Sequence, residues 1–283
     1  MTDKQSGILS FHQVREQCEQ GGADVWRSFL TFYSPLCLQL ARIYTAGDAP
    51  VWERTLEGLM KDNFAQLRAM QRQTEREFLM DVRTALFDCA LAEAAKKTSA
   101  EPSASELAAP ESPTFNIEKV TKILDGLPLL HQEILWFKLA GYTDATIERI
   151  LRMAPSVAHG ALDRLGPDFA AARDLASDHC LWPEAWLDFL RQARAAKKEE
   201  CPPLHQLLRI HDGQVSWYDK EPMERKVASC LHCLDSWTGL REVAYWRRAA
   251  PGVSPDQIEQ LLRKLPLIVP EEKKSLFGRL FKK

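Results

Sequence analysis

The residues with the clearest chemistry are cysteines and histidines in the C-terminal third of the chain. Cys230 and Cys233 form a C-x-x-C pair, and two thiolates at this spacing can bind one zinc ion from a turn or a helix start. Cys201 and His205 are the candidates for the other two ligands of a tetrahedral site, although the two prolines between them disfavour a shared helical face. The alternative is that Cys230 and Cys233 are small buried residues on the apolar face of a helix.

Composition limits what such a site can serve. The chain has 283 residues with 37 Lys and Arg against 39 Asp and Glu, so bulk positive charge does not hold it on nucleic acid. Seven cysteines are too few for a disulfide scaffold and favour free thiols with a metal site. No apolar run reaches the roughly 18 residues that span a bilayer, and the N-terminus lacks a signal-peptide core. We therefore expect a cytoplasmic protein.

The elements that must position these residues are predicted to be helices. In the first region Val25, Phe29, Phe32 and Tyr33 recur at helical spacing, and Pro35 is expected to kink or divide that helix. No alternating strand pattern of useful length occurs, so the fold class is all-α. Residues 95–115 are rich in Ala, Ser, Pro and Glu and are interpreted as a flexible linker, because they cannot bury enough apolar surface to fold.

Beyond the linker, turn signals separate three helical segments. The predicted helices cover residues 117–139, 143–153 and 156–165. Two short helices joined by a tight turn, with a third before them, have helix-turn-helix spacing. The predicted organisation is a helical bundle (1–94), the linker (95–115), a helix-turn-helix domain (116–176), a helical C-terminal module (177–270) and a basic tail (271–283).

Residues 124–165 resemble the C-terminal DNA-binding region of bacterial sigma factors of the extracytoplasmic-function group. The matching positions are Leu127-Pro128, Gln132 to Leu135, Gly141-Tyr142-Thr143, Ile147 to Leu151 and Leu162-Asp163-Arg164. The resemblance implies promoter recognition through a final helix. Its candidate DNA contacts are Arg152, Ser156, His159 and Arg164.

The N-terminal helices resemble, more weakly, the region of the same family that binds core RNA polymerase and melts promoter DNA. The matching segments are SFLTFYSPLCLQLARIY and EFLMDVRTALFDCAL. Four arginines at helical spacing are the candidates for a DNA-facing surface there: Arg68, Arg72, Arg76 and Arg83. The alternative is a solvated face paired to Glu75 and Glu77.

The helix-turn-helix segment carries little positive charge. Residues 116–174 contain seven Lys and Arg against eight Asp and Glu, and Ala161 and Asp163 stand at or beside positions that are usually basic. Two hypotheses follow. The chain is a sigma-like regulator that binds core RNA polymerase and promoter DNA, or the fold is reused as an adaptor or scaffold without DNA contact.

The segment HDGQVSWYDKEPMERKVASCLHC (211–233) resembles the zinc-binding anti-sigma domain, whose hallmark is H-x-x-x-C-x-x-C. Lys226 occupies the position of the histidine, so replacement ligands are needed, for which Cys201, His205, His211 and His232 are candidates. A tetrahedral set of Cys201, His205, Cys230 and Cys233 is chemically reasonable. The resemblance implies a regulatory module fused to the sigma-like part.

The last thirteen residues predict a short basic amphipathic helix. Its characteristic residues are Lys274, Leu276, Phe277, Leu280 and Phe281. This pattern is typical of binding to an anionic membrane surface, which here would be the inner membrane, or of docking into a groove of a protein partner. A frayed solubilising tail is the third interpretation. No phosphate loop, nucleophile elbow or paired-carboxylate signature is present, so we expect a protein that is not an enzyme.

Overall fold

The computed structural model of the chain describes residues 18, 22–45, 50–69, 74–99, 117–164, 170–172 and 183–265. Within these ranges the regular structure is helical and contains no strand, which confirms the all-α class. The helices are α1 (Ala23–Thr45), α2 (Pro50–Ala69), α3 (Glu75–Ser99), α4 (Ile117–Asp125), α5 (Leu129–Leu139), α6 (Asp144–Leu151), α7 (Pro183–Ala195), α8 (Leu204–His211), α9 (Trp217–Ala228), α10 (Leu231–Ala249) and α11 (Pro255–Lys264). None of these helices is both long and apolar enough to cross a membrane.

Several predicted boundaries are refined by the structure. Helix α1 runs without interruption through Pro35, and α3 continues to Ser99, so residues 95–99 are helical. The rest of the predicted linker lies outside the described residues. The start of α11 is defined by local bonds: Ser254 caps the helix, and Gln257 completes a reciprocal capping box with it.

The helix predicted over 117–139 is two helices, α4 and α5. Pro128 has no backbone N–H and disfavours helical geometry in the residue before it, so the chain breaks at Gly126–Pro128. At the other end of α5, Gly141 adopts a φ of 85°. The amides of Gly141 and Tyr142 then bond the carbonyls of Lys138 and Phe137, which terminates the helix in a Schellman motif.

The helix predicted over 156–165 is not formed in the part that the structure describes. Residues 155–164 instead follow a series of turns. Ser156 has a φ of 67° and Gly160 a φ of 65°, and both values belong to the left-handed region, which interrupts a right-handed helix. The element expected to read DNA is therefore irregular in this structure.

The chain folds as two compact units that each combine distant segments. The first unit comprises Met1–Pro35, Glu53–Gln71 and Pro251–Lys283. In it Trp26 packs edge-on against Phe29, with ring centroids 5.0 Å apart. The Arg27 guanidinium bonds Glu259 at 2.6 Å, so the first segment is held to the last.

The second unit comprises Leu36–Trp52 and Arg72–Ala250, and α10 is its central helix. Helices α3, α5, α6, α7, α8 and α9 all contact α10. Apolar side chains such as Leu234, Trp237, Leu240 and Val243 are buried along it. Because several faces of α10 are covered, its polar residues Asp235, Thr238 and Glu242 are buried as well. The division of the chain into five predicted segments remains a prediction.

Candidate functional site

Three of the predicted zinc ligands meet in the second unit. The thiol sulfurs of Cys201, Cys230 and Cys233 all lie within 4.8 Å of one another. The Sγ atoms of Cys201 and Cys230 are 3.6 Å apart. Cys230 is the N-cap residue of α10 and Cys233 lies in its first turn, whereas Cys201 comes from the loop between α7 and α8. We call these three residues the thiol cluster.

The local backbone favours a negative charge on the thiol cluster. Burial raises the pKa of the Cys201 thiol, but hydrogen bonds from the Lys198 amide, Cys233 and Cys230 outweigh that effect and bring its pKa below the ordinary value. Burial raises the pKa of the Cys233 thiol, as do its interactions with the other two sulfurs. The lowered pKa of Cys201 favours a thiolate at this position, and the N-terminus of α10 favours negative charge beside it.

The fourth predicted ligand, His205, does not join the thiol cluster. It is exposed on the first turn of α8, because Pro202 and Pro203 separate Cys201 from the start of that helix. Lys226, at the position of the anti-sigma histidine, is exposed in the last turn of α9. Among the described residues the cluster thus offers three ligands.

The spacing of the sulfurs fits a zinc ion. Zinc–sulfur bonds of about 2.3 Å in a tetrahedron place the sulfurs about 3.8 Å apart. The 3.6 Å separation of Cys201 and Cys230 is close to that distance. When bound, zinc would act as a Lewis acid and hold the three thiolates together. The chain itself supplies the loop and helix start that bring them into place.

The residues predicted to contact DNA are mostly engaged within the protein. Arg164 bonds the backbone carbonyls of Val157 and His159. The His159 ring lies 3.3 Å from Asp144. Arg152 ends α6 in the left-handed conformation, with its side chain exposed. Ser156 is exposed in the turn that follows.

The predicted basic face of the N-terminal region is wrong at Arg83. This residue is only 2% exposed, because its guanidinium donates to Asp235 and Glu242, both at 2.9 Å. Arg76 pairs with Asp212 at 2.5 Å. The side chain of Arg68 and the whole of Arg72 lie outside the described residues.

The alternative prediction for that face, pairing to Glu75 and Glu77, is not met by its two described arginines, Arg76 and Arg83. Glu75 accepts a hydrogen bond from Arg247 at 3.0 Å. Glu77 accepts from the backbone and hydroxyl of Thr74. Among the described side chains, both carboxylates thus bond groups other than Arg76 and Arg83.

Arg83 belongs to a buried polar network on α10. Burial raises the pKa of the Asp235 carboxyl, but Arg83 and Arg194 outweigh it and hold that pKa below its usual value. Glu242 also accepts the hydroxyl proton of Tyr142 at 2.6 Å. Tyr142, the aromatic residue of the sigma-like motif, thereby fixes the α5–α6 turn to the central helix.

Sequence analysis missed an exposed aromatic pair at the start of α9. Trp217 is 69% exposed and Tyr218 is 86% exposed. Tyr218 borders a groove between α8 and α9, lined also by Ile210, Pro222 and Met223. Large exposed aromatics beside an apolar groove are typical of protein-binding surfaces. The available signal was two adjacent aromatics directly after the helix cap Ser216, which begin an otherwise polar helix.

The predicted tail residues lie outside the described residues, so their role stays a prediction.

Comparison of the chain with models of protein families, with curated proteins and with solved structures gives no match. The resemblances to sigma and anti-sigma domains therefore rest on the motif residues themselves.

Proposed function

We propose that the chain is a zinc-stabilised regulator that docks on core RNA polymerase through protein contacts and does not read promoter DNA. The observation that carries this proposal is the meeting of Cys201 with the C-x-x-C pair of α10, because Cys201 is one of the candidate replacements for the histidine that the anti-sigma pattern lacks here. Anti-sigma domains act by binding proteins, so a module of this kind favours a protein partner.

Two further observations support a protein partner over DNA. The exposed pair Trp217 and Tyr218 offers the amphipathic aromatic surface that protein interfaces favour. Of the four predicted DNA-contacting side chains, Arg164 and His159 are engaged internally, so few cations remain to neutralise phosphates. Helices α1 and α3 also form where the resemblance to a polymerase-binding region requires them.

The test is gel filtration of the zinc-loaded chain with core RNA polymerase, followed by run-off transcription on the same sample. Co-elution without promoter-specific transcripts is the expected result. Trp217→Ala with Tyr218→Ala should reduce co-elution, whereas the neighbouring Lys220→Ala should not. Failure of the unaltered chain to co-elute would contradict the proposal.

The zinc centre is tested separately by metal analysis of the purified protein. We expect about one zinc per chain and a lower thermal midpoint after chelation, because structural zinc contributes directly to folding free energy. Cys230→Ser should lose the metal, whereas Cys89→Ser, at a cysteine outside the thiol cluster, should keep it. If the purified protein contains no zinc and the Cys230→Ser variant is as stable as the unaltered chain, the proposed zinc centre is contradicted.

A second candidate function is promoter binding in the manner of a sigma factor. It is favoured by the succession α4, α5 and α6, with Thr143 capping α6 where the resemblance places its Gly-aromatic-Thr motif. Promoter-specific transcripts in the run-off assay would support it. In that case Arg152→Glu should abolish binding to a promoter fragment, and Arg225→Glu on α9 is the matched control.

A further inference from the structure

A second concave site lies in the second unit, beside the thiol cluster. It is a cavity of about 550 Å³ between α3, the α7–α8 loop and the first turns of α10. This volume is within the range of about 300–1,000 Å³ that is common for small-molecule sites. Cys201 borders the cavity, but most of its walls come from residues that the zinc centre does not use.

One part of the cavity wall is basic. Lys197 and Lys198 are exposed there, and no carboxylate of the described residues lies within 4 Å of their ammonium groups. Arg194 donates its Nε to Asp235 at 3.3 Å, while its buried Nη1 has no hydrogen-bond acceptor and lies 3.8 Å from Asp88. The guanidinium of Arg194 thus lines the cavity beside the two lysines and is held by Asp235, Asp88 and the face of the Phe87 ring, 3.9 Å away.

The first turns of α10 reinforce this preference. His232 and Ser236 of α10 line the cavity. The N-cap residue Cys230 makes no side-chain capping bond, and no acidic residue stands in the first turn. The positive end of α10 favours negative charge, and the thiolates of Cys230 and Cys233 in its cap and first turn compensate part of that positive end.

The remaining walls are apolar and acidic. Met80, Pro202 and Leu207 form an apolar side. The acidic residues are Asp81, Glu199 and Asp235, of which Asp235 is already held by Arg83 and Arg194. The arrangement thus suits a molecule with one anionic end and one apolar end.

We propose that this cavity binds a small amphipathic anion, with its phosphoryl or carboxylate group at Lys197, Lys198 and Arg194 and its apolar part against Met80, Pro202 and Leu207. The inference does not depend on the proposed polymerase partner. It assigns to the α7–α8 loop a second role besides carrying Cys201, namely that of supplying the anion-binding lysines.

The test is calorimetric titration of the full zinc-loaded chain with phenyl phosphate, and in parallel with inorganic phosphate and with phenol. We expect saturable binding of one phenyl phosphate per chain, weaker binding of inorganic phosphate and none of phenol. Lys197→Gln with Lys198→Gln should weaken binding by about tenfold or more, since charge-assisted bonds to the anion are lost. The matched control is Lys220→Gln with Lys226→Gln on α9, which removes the same charge elsewhere.

A steric variant makes the location of the site testable. Thr84 lines the cavity from α3 and is exposed, so Thr84→Trp should fill the cavity without disturbing the core and should abolish binding. No saturable heat with phenyl phosphate at millimolar concentration would overturn the proposal. Equal affinity in the two double-lysine variants, or unchanged binding in the Thr84→Trp variant, would overturn it as well.

Discussion

At the scale of single residues, the chain shows how spacing in sequence differs from neighbourhood in space. Cys230 and Cys233 are predicted as ligands from their spacing alone, and Cys201, which was predicted to join them from 29 positions away, lies beside them in the fold. His205 was predicted as a ligand on the same chemical grounds. Two prolines separate Cys201 from the start of α8, and the His205 side chain is exposed to solvent on that helix. Arg83 was read as a surface cation, because a sequence does not show that Asp235 and Glu242 lie across from it.

Replacing Arg83 tests the buried polar network. Arg83→Ala leaves Asp235 and Glu242 buried without their main cation, so we expect a loss of about 3–5 kcal/mol in the free energy of unfolding. Urea denaturation followed by circular dichroism measures it. The exposed Arg225→Ala, which breaks only a surface pair with Glu221, should cost less than about 1 kcal/mol.

The same network offers an internal check. Arg83→Met combined with Glu242→Gln should recover part of the loss, because fewer uncompensated charges remain buried. If the Arg83→Ala variant is as stable as the Arg225→Ala variant, the buried ion pairs contribute less to the free energy of unfolding than their burial implies.

His211 predicts a dependence of stability on pH. Burial lowers the pKa of its imidazole, and Arg241 and Arg76 lower it further against the opposing effect of Asp212. Because the unfolded chain then binds more protons below a pH of about 6.5, stability should fall as the pH drops through that value. Chemical denaturation between about pH 7.5 and pH 5.5 should show a shallower slope for His211→Gln. Equal slopes for His211→Gln and the unaltered chain would contradict this prediction.

At the scale of elements, local signals predicted what local bonds decide. The cap at Ser254 and the terminator at Gly141 both act through hydrogen bonds within a few residues, so the residues that make them are neighbours in the sequence. The prediction of a helix over 156–165 was wrong because the sequence does not indicate the left-handed backbone conformation of Ser156. The close approach of α3 to α10 likewise depends on Gly239, which the sequence shows only as a glycine inside a helix.

Gly239 is predicted to be required for that approach. A Cβ atom there would lie 3.0 Å from the guanidinium carbon of Arg83 and from the terminal carbon of Met80. Arg83 cannot yield easily, because two carboxylates hold it, so Gly239→Ala should lower the thermal midpoint despite alanine's better helix propensity. Gly252→Ala, where a Cβ atom meets open space, should leave the midpoint nearly unchanged. A raised midpoint for Gly239→Ala would show that α3 and α10 are not tightly packed at this position.

At the scale of the whole molecule, the predicted order of segments says little about which of them fold together. The first unit draws on three separate stretches, and its pairs Arg27–Glu259 and Glu53–Lys264 join residues more than 200 positions apart. Pairings of this range are invisible to periodicity, which reports only the local helical face. The all-α class was therefore predictable, whereas the partners of each helix were not.

Truncation separates the contribution of α11 from that of the residues after it. A chain ending at Ala250 lacks the third segment of the first unit, so the amides of α2 and of residues 23–35 should exchange hydrogen faster. A chain ending at Leu265 keeps α11 and should show the exchange of the full chain in these helices. Equal protection in both truncated forms would mean that α11 does not stabilise the unit.

The composition of the first unit has a consequence for synthesis on the ribosome. Its first segment is synthesised before the other two. Glu259, which bonds Arg27, and Lys264, which bonds Glu53, each emerge more than 200 residues after their partner. At roughly 5–20 residues per second, about ten seconds or more pass between the synthesis of the helix around the buried Trp26 and the synthesis of α11. During that interval the apolar side of this helix is accessible to chaperones. The rate of elongation would therefore set how long the nascent chain depends on them.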